Sequence, residues 1–194
     1  SAKYKYGSDS LAGKKVLVQG IGIVGVTLVD YLVKEGALVT IADISETRLQ
    51  EVATKYGVQI FAGTDLYSAD VDIYAPCALG ATINDETLSR LKCSIIAGAA
   101  NNQLKVEGIH GQAVMERGII YAPDFALNAG GVINCYSEVA GLSPEWALRK
   151  ADDIYSTISE IVKRSKEEHI PTYQIANRMA EERIEKVGKV KLPR

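Results

Sequence analysis

Apolar positions along this chain change period several times. Lys15 to Gln19 (KVLVQ) is a short β-branched run stopped by glycine, the pattern of a buried parallel strand that turns into a helix. Val24, Leu28, Tyr31 and Leu32 then recur at helical spacing up to Gly36, a natural C-terminal stop. Ala37 to Ala42 (ALVTIA) reads as a second strand. Strand, helix and strand so closely spaced make a βαβ unit, whose strands are parallel and whose crossover is right-handed. A helix is predicted from about Glu46, with further strands at Val58 to Phe61, Val71 to Ala75, Ser94 to Ala97 and Ile119 to Tyr121. This is an open, mostly parallel α/β sheet. Only Ala62 to Asp70 separates the third and fourth strands, short for a parallel crossover, which leaves a reversed third strand open.

From Asn128 onward the pattern is helical: Asn128 to Ala140, Pro144 to Glu168, and Pro171 to Val187. In the second of these, Ala147, Ala151, Ile154, Ile158 and Ile161 form one stripe opposite Lys150, Asp153 and Lys163, and Pro144 suits a first turn. Two parts are therefore expected, a sheet-containing unit over 1–143 and C-terminal helices over 144–194 that pack on it. The basic ending Lys186 to Arg194 reads as a solvated tail.

Composition narrows the function. The chain has 194 residues, 47% hydrophobic, and 22 Lys+Arg against 24 Asp+Glu for a net charge of -2. No positive field invites nucleic acid or an acidic membrane, and the longest apolar stretches, such as Ile21 to Val29, fall far short of the roughly 18 residues of a membrane span. Cys77, Cys93 and Cys135 form no CxxC pair, which fits a reducing cytoplasm, and two histidines without a ligand motif predict no metal site. The chain starts at Ser1 with no leader-like segment and reads as an excised piece of a soluble, cytoplasmic protein that handles small molecules.

The chemistry concentrates at strand ends. Gly20, Gly22 and Gly25 spell GxGxxG within Gly20, Ile21, Gly22, Ile23, Val24, Gly25 and Val26. The pattern alone is weak, but here it leaves a predicted strand and opens a predicted helix. There Gly20 makes the turn, Gly22 lets the backbone approach a pyrophosphate, and Gly25 lets helix pack on strand, as in a Rossmann-like, doubly wound fold. Asp43 ends the second strand about twenty residues on, where a carboxylate accepts from both ribose hydroxyls and repels a 2′-phosphate, selecting NAD, although Arg48 nearby is the residue type that accommodates such a phosphate. The plainer role of helix N-cap falls to Ser45. Three segments of small and amide residues, 75–81, 97–103 and 128–132, lie at or beyond strand ends and suit a flat ring and its carboxamide. They carry Ala75, Pro76, Cys77, Asn101, Asn102 and Asn128, each of which a tight turn or cap would also explain. Asn84 before Asp85 and Glu86 reads as a cap. Cys77 has no basic neighbour in sequence and reads as a small apolar wall. Val132 and Cys135 share a helix face that touches substrate or fills core.

At these residues the chain resembles the glutamate, leucine, phenylalanine and valine dehydrogenase family, most closely its leucine dehydrogenase members. The similarity runs from Gly7 to about Ile184, carried by GSDSLAGK, DIYAPCALGATIN, IAGAANNQL, YAPD and NAGGVIN. It implies a doubly wound NAD-binding domain with one reversed strand. Gly20 to Val26 would hold the pyrophosphate, Asp43 the adenosine ribose, and Ala75 to Cys77 with Asn101 and Asn128 the nicotinamide side. Val132 and Cys135 would line the amino-acid side-chain pocket. Relatives usually carry valine where Cys135 stands, which leaves the preferred side chain open. They often carry alanine in the place of Gly25, a change the turn is expected to tolerate. The family's GGxK lysine and its catalytic aspartate belong to a preceding N-terminal domain, and no GGxK occurs here, so no catalytic residue is assigned. The resemblance implies half of an enzyme that deaminates a branched-chain or aromatic amino acid to a 2-oxo acid and ammonia, a homo-oligomer when full length. The isolated chain is expected to bind NAD and turn over little. The competing reading is a stand-alone NAD(H)-sensing module, which has no use for NAGGVIN.

Overall fold

A computed structural model describes residues 1–188. Six strands form one sheet: β1 (Lys15–Gln19), β2 (Leu38–Ala42), β3 (Gln59–Ile60), β4 (Ile73–Pro76), β5 (Ile95–Ile96) and β6 (Ile120–Tyr121). The helices among them are α1 (Ala2–Tyr6), α2 (Ile23–Lys34), α3 (Glu46–Tyr56), α4 (Asp85–Leu88), α5 (Glu107–Glu116), α6 (Asp124–Leu127), α7 (Gly130–Val139), α8 (Pro144–Glu168) and α9 (Thr172–Gly188). Strand order is β3-β2-β1-β4-β5-β6 and every pairing is parallel. That order belongs to the doubly wound dinucleotide-binding folds.

The reversed third strand is overturned, because β3 pairs with β2 in parallel, Thr40 opposite Gln59 and Ile41 opposite Ile60. Sequence pattern overextends both flanking strands. In the fold β3 is two residues long and β4 starts at Ile73, so the connection is residues 61–72, the dozen that a parallel return requires.

Alternation along β1 divides the core. Val16 and Val18 face a cluster built with Val29 and Leu32 of α2, Val52 of α3, Ile158, Ile161 and Val162 of α8 and Ile175 of α9. Leu17 faces the other way, into a cluster with Tyr74, Leu88, Ile96, Leu104 and Val114. Helices thus cover both faces of the sheet. The final helix pair packs directly on this core; of the tail expected from Lys186, residues 186–188 are the last turn of α9, and the rest, from 189 onward, lies outside the described residues.

The helix expected from Asn128 to Ala140 is broken. Asn128 closes α6 as its C-cap, and the longer helix starts at Gly130. By contrast, α8 has the bounds its pattern predicts, with Ser143 accepting the Trp146 N–H at 3.3 Å and Pro144 in the first turn. Exchanging Ser143 for alanine is expected to lower stability by about 1 kcal/mol in urea unfolding, since the first turn loses its side-chain cap. The Asn84 cap also forms, its side-chain Oδ1 accepting from the Glu86 and Thr87 N–H groups at 3.0 Å.

Candidate functional site

With all strands running one way, the loops after β1, β2, β4, β5 and β6 open on one edge of the sheet. The chain winds outward from β1 to β3, then crosses back to β4 beside β1. The two central connections therefore part at this point, where open α/β sheets leave a crevice.

The glycine loop lies in that crevice. Gly20 has φ +94°, and a β-carbon on it would stand 2.6 Å from the Ala78 Cβ, so only glycine lets the loops after β1 and β4 touch. Gly22 faces open space and caps α2 without a side chain, so the first turn presents N–H groups that no side chain occupies. Ile21 is buried beneath the loop, Ile23 and Val24 are exposed at the start of α2, and Val26 is half-buried with its N–H on the Gly22 carbonyl at 2.9 Å. A β-carbon on Gly25 would lie 2.0 Å from the Gly20 carbonyl oxygen. The expected tolerance of alanine there is overturned for this backbone, because the obstacle is a peptide group and the turn itself must move.

Asp43 grips this loop. Its Oδ2 accepts the Ile21 N–H at 2.9 Å and its Oδ1 the Ser45 N–H at 3.0 Å, while the Arg48 guanidinium stands 3.7 Å away. The side chain is 8% exposed. Burial pushes its carboxyl up, but the backbone N–H groups of Ile21, Ser45 and Ile44, with Arg48, outweigh burial and hold it below the ordinary carboxylate value. Ser45 caps α3, accepting from the Arg48 N–H, so Asp43 is not needed as the cap.

Opposite, the loops after β4 and β5 interlock. Ala75 is buried in β4, Pro76 ends it, and Cys77 donates its N–H to the Gln19 carbonyl at 2.7 Å. Burial pushes the Cys77 thiol up, with partial relief from the Ala99 N–H, which suits a wall and not a nucleophile. The Ala81 N–H donates to the Asn102 carbonyl at 2.7 Å, and both residues are left-handed, at φ 57° and 52°. Outside glycine such conformations are strained and gather at functional sites. Asn101 and Asn128 meet across two loops, the Asn128 amide donating to the Asn101 Oδ1 at 2.5 Å. Val132 and Cys135 are exposed on α7.

Two residues organise the loops in ways the sequence pattern does not assign: Gln103, an amide of the 97–103 segment, turns inward and away from any ligand, and Asp124 carries no expected role. Gln103, fully buried, donates to the Gly98 and Ala100 carbonyls at 2.5 and 2.9 Å and holds its loop shut from inside. Asp124 is buried at the start of α6 and accepts from the Asn102 N–H. A polar side chain at the end of a run of small residues, as in IAGAANNQ, and the carboxylate of YAPD are the cues that could have found them.

An apolar groove of about 620 Å³ lies between α2 and α8 and runs up to this edge, where Ile23, Val24, Ala75, Gly98, Ala99 and Leu127 line it. Among the described residues no cluster of three or more potential metal ligands occurs, and no helix is long and apolar enough to cross a membrane.

The sequence pattern of the Glutamate/Leucine/Phenylalanine/Valine dehydrogenase family matches residues 1–191. Leucine dehydrogenase of Bacillus subtilis is 49% identical over 187 residues, 96% of this chain and 51% of that protein. L-tryptophan dehydrogenase of Nostoc punctiforme is 42% identical over 180 residues, 93% of this chain and 51% of that protein. The crystal structure of a Nostoc punctiforme L-tryptophan dehydrogenase superposes with a TM-score of 0.93 at 40% identity, covering 97% of this chain and 58% of that one. The hetero-hexameric glutamate dehydrogenase of Thermus thermophilus, at TM-score 0.73 and 16% identity over 98% of this chain and 51% of that one, shares the fold. The chain spans about half the length of the curated relatives it matches. On the match over nearly its whole length and on these relatives, the chain belongs to the glutamate, leucine, phenylalanine and valine dehydrogenase family.

Proposed function

We propose that this chain is the cofactor-binding half of an NAD-dependent L-amino-acid dehydrogenase acting on a branched-chain or aromatic amino acid. Membership of the family implies a nicotinamide cofactor. The observation that carries the reading is the convergence on one sheet edge of the uncapped α2 N-terminus, the Asp43 carboxylate and the Asn101–Asn128 amide pair. This edge fits a dinucleotide: Gly22 offers open space beside free backbone donors, and the carboxylate beside it keeps further acceptor capacity for hydroxyls.

In this reading the α2 N–H groups and Gly20 to Val26 bind the pyrophosphate, and Asp43 orients the adenosine ribose. Ala75, Pro76 and Cys77 form a wall for the nicotinamide, whose carboxamide pairs with Asn101 and Asn128. When bound, NAD supplies the hydride acceptor for oxidation at the amino acid's Cα. Val132 and Cys135 face the amino-acid side chain. Residues 1–143 make up the cofactor unit, and the part over 144–194, through α8 and α9, packs on it and offers surface to an N-terminal catalytic domain. Without a GGxK lysine in these 194 residues, this chain binds NAD and turns over little alone.

Isothermal titration tests the reading. NADH is expected to bind, NADPH to bind at least about tenfold more weakly because the Asp43 charge opposes a 2′-phosphate, and an amino acid plus NAD to give no detectable nicotinamide reduction. Equal affinity for both cofactors removes the ribose role of Asp43, and no affinity for either removes the cofactor reading.

A further inference from the structure

We infer that Asp124 is the positioning residue for the nicotinamide half of the site, holding the Asn102 peptide with one carboxylate oxygen and the Tyr121 hydroxyl with the other so that Asn101 is brought onto Asn128. The inference rests on the cofactor reading above and adds a residue to it.

Asp124 opens α6 and is 8% exposed, so its carboxylate has little water to satisfy it and must be held by protein donors. Those donors are the Asn102 N–H, 2.5 Å from Oδ2, and the Tyr121 hydroxyl, 2.7 Å from Oδ1. Its own N–H points back to the Tyr121 oxygen at 3.3 Å, closing a small ring of bonds at the end of β6. Burial and the bond to Asp124 push the Tyr121 hydroxyl well above its ordinary range, so it stays a donor.

Asn102 is left-handed, a conformation uncommon outside glycine that asparagine adopts more readily than other residues, and both sides of its peptide are tied here. One side of this turn is tied by the Asn102 carbonyl to the Ala81 N–H, and the other by the Asn102 N–H to Asp124. Asn101 is the next residue back along the chain, and its Oδ1 takes the Asn128 amide. The Asn128 backbone N–H donates to the Asp124 main-chain carbonyl at 2.8 Å, the bond that closes α6 and sets Asn128 one turn after Asp124. The side-chain bonds to a charged acceptor are the stronger kind.

The test separates the two halves of the ligand. ADP-ribose carries the adenosine and pyrophosphate but no nicotinamide. For the full chain, Asp124→Ala is expected to weaken NADH binding by about tenfold or more, the loss of a charge-assisted bond, with ADP-ribose affinity held within about twofold. Asp124→Asn keeps one acceptor for the Asn102 N–H and is expected to recover part of the loss. Tyr121→Phe, which leaves the carboxylate in place, shows a smaller loss in the same direction and gives the reading should Asp124→Ala fail to fold. A merely structural role would lower both affinities together. That result, or no change in either, overturns the positioning role. A wild-type chain that binds neither NADH nor ADP-ribose is a distinct outcome: it overturns the cofactor reading, and the role of Asp124 falls with it.

Discussion

Gly98→Ala is expected to destabilise the chain by about 3 kcal/mol or more, read as a drop in the urea midpoint with an unchanged slope. A β-carbon there would lie 2.2 Å from the Pro76 carbonyl oxygen and 2.5 Å from the Pro76 nitrogen. Neither is the flexible end of a side chain. Relief requires separating β4 from the loop after β5, which also breaks the bond from the Ala100 N–H to the Pro76 carbonyl. Gly22→Ala is the contrasting case, because nothing lies within 4 Å of its added carbon and its φ of -67° suits any residue. Its stability is expected to change by less than about 1 kcal/mol. Similar losses in the two variants would show that the rim after β5 yields more easily than its close contacts imply.

Asp43→Ala is expected to lower stability by about 3 kcal/mol and NADH affinity by at least about tenfold, measured by urea unfolding and calorimetric titration. Removing the carboxylate leaves the Ile21 and Ser45 N–H groups without acceptors, and Ile21 is fully buried. Asp43→Asn keeps one acceptor oxygen, so about half of the stability loss is expected. The same site sets an acid limit. The folded carboxyl lies below its ordinary value of 3.8, so its contribution is complete above pH 3.8 and is lost as pH falls through the lower folded value. The asparagine variant has no proton to gain there and is expected to show a flatter stability curve below pH 3.8. Parallel acid curves for the two proteins would remove the clamp from the account of stability.

Much of this architecture was legible because local rules agree with one another. Along β1 the apolar run, the glycine stop and the helical spacing that follows all point to one turn, and the bounds of α8 follow from a serine cap, a proline and one continuous stripe. The direction of β3 was not legible, since linker length is its only cue in the sequence and strand ends are where sequence patterns are least sharp. The apolar pattern takes in Phe61 after β3 and Val71 and Asp72 before β4, which removes three residues from the real connection. The break at Asn128 was hidden for a related reason: the short turn of α6 and the start of α7 together mimic one helical repeat. At the site, residues known by type, such as the glycines and Asp43, could be named in advance. The roles of Gln103 and Asp124 could not, because they hold main-chain groups, Gln103 within its own loop and Asp124 across from the loop after β5, and that depends on how the sheet places those loops.

The grip of Asp43 on Ile21 has a thermodynamic corollary. Its rotamer is selected during folding, so the freedom of that side chain is already lost before any guest arrives. A dinucleotide settling on this rim gives up mainly its own translation, rotation and internal torsions, and the acidic contact adds little ordering penalty on the protein's side.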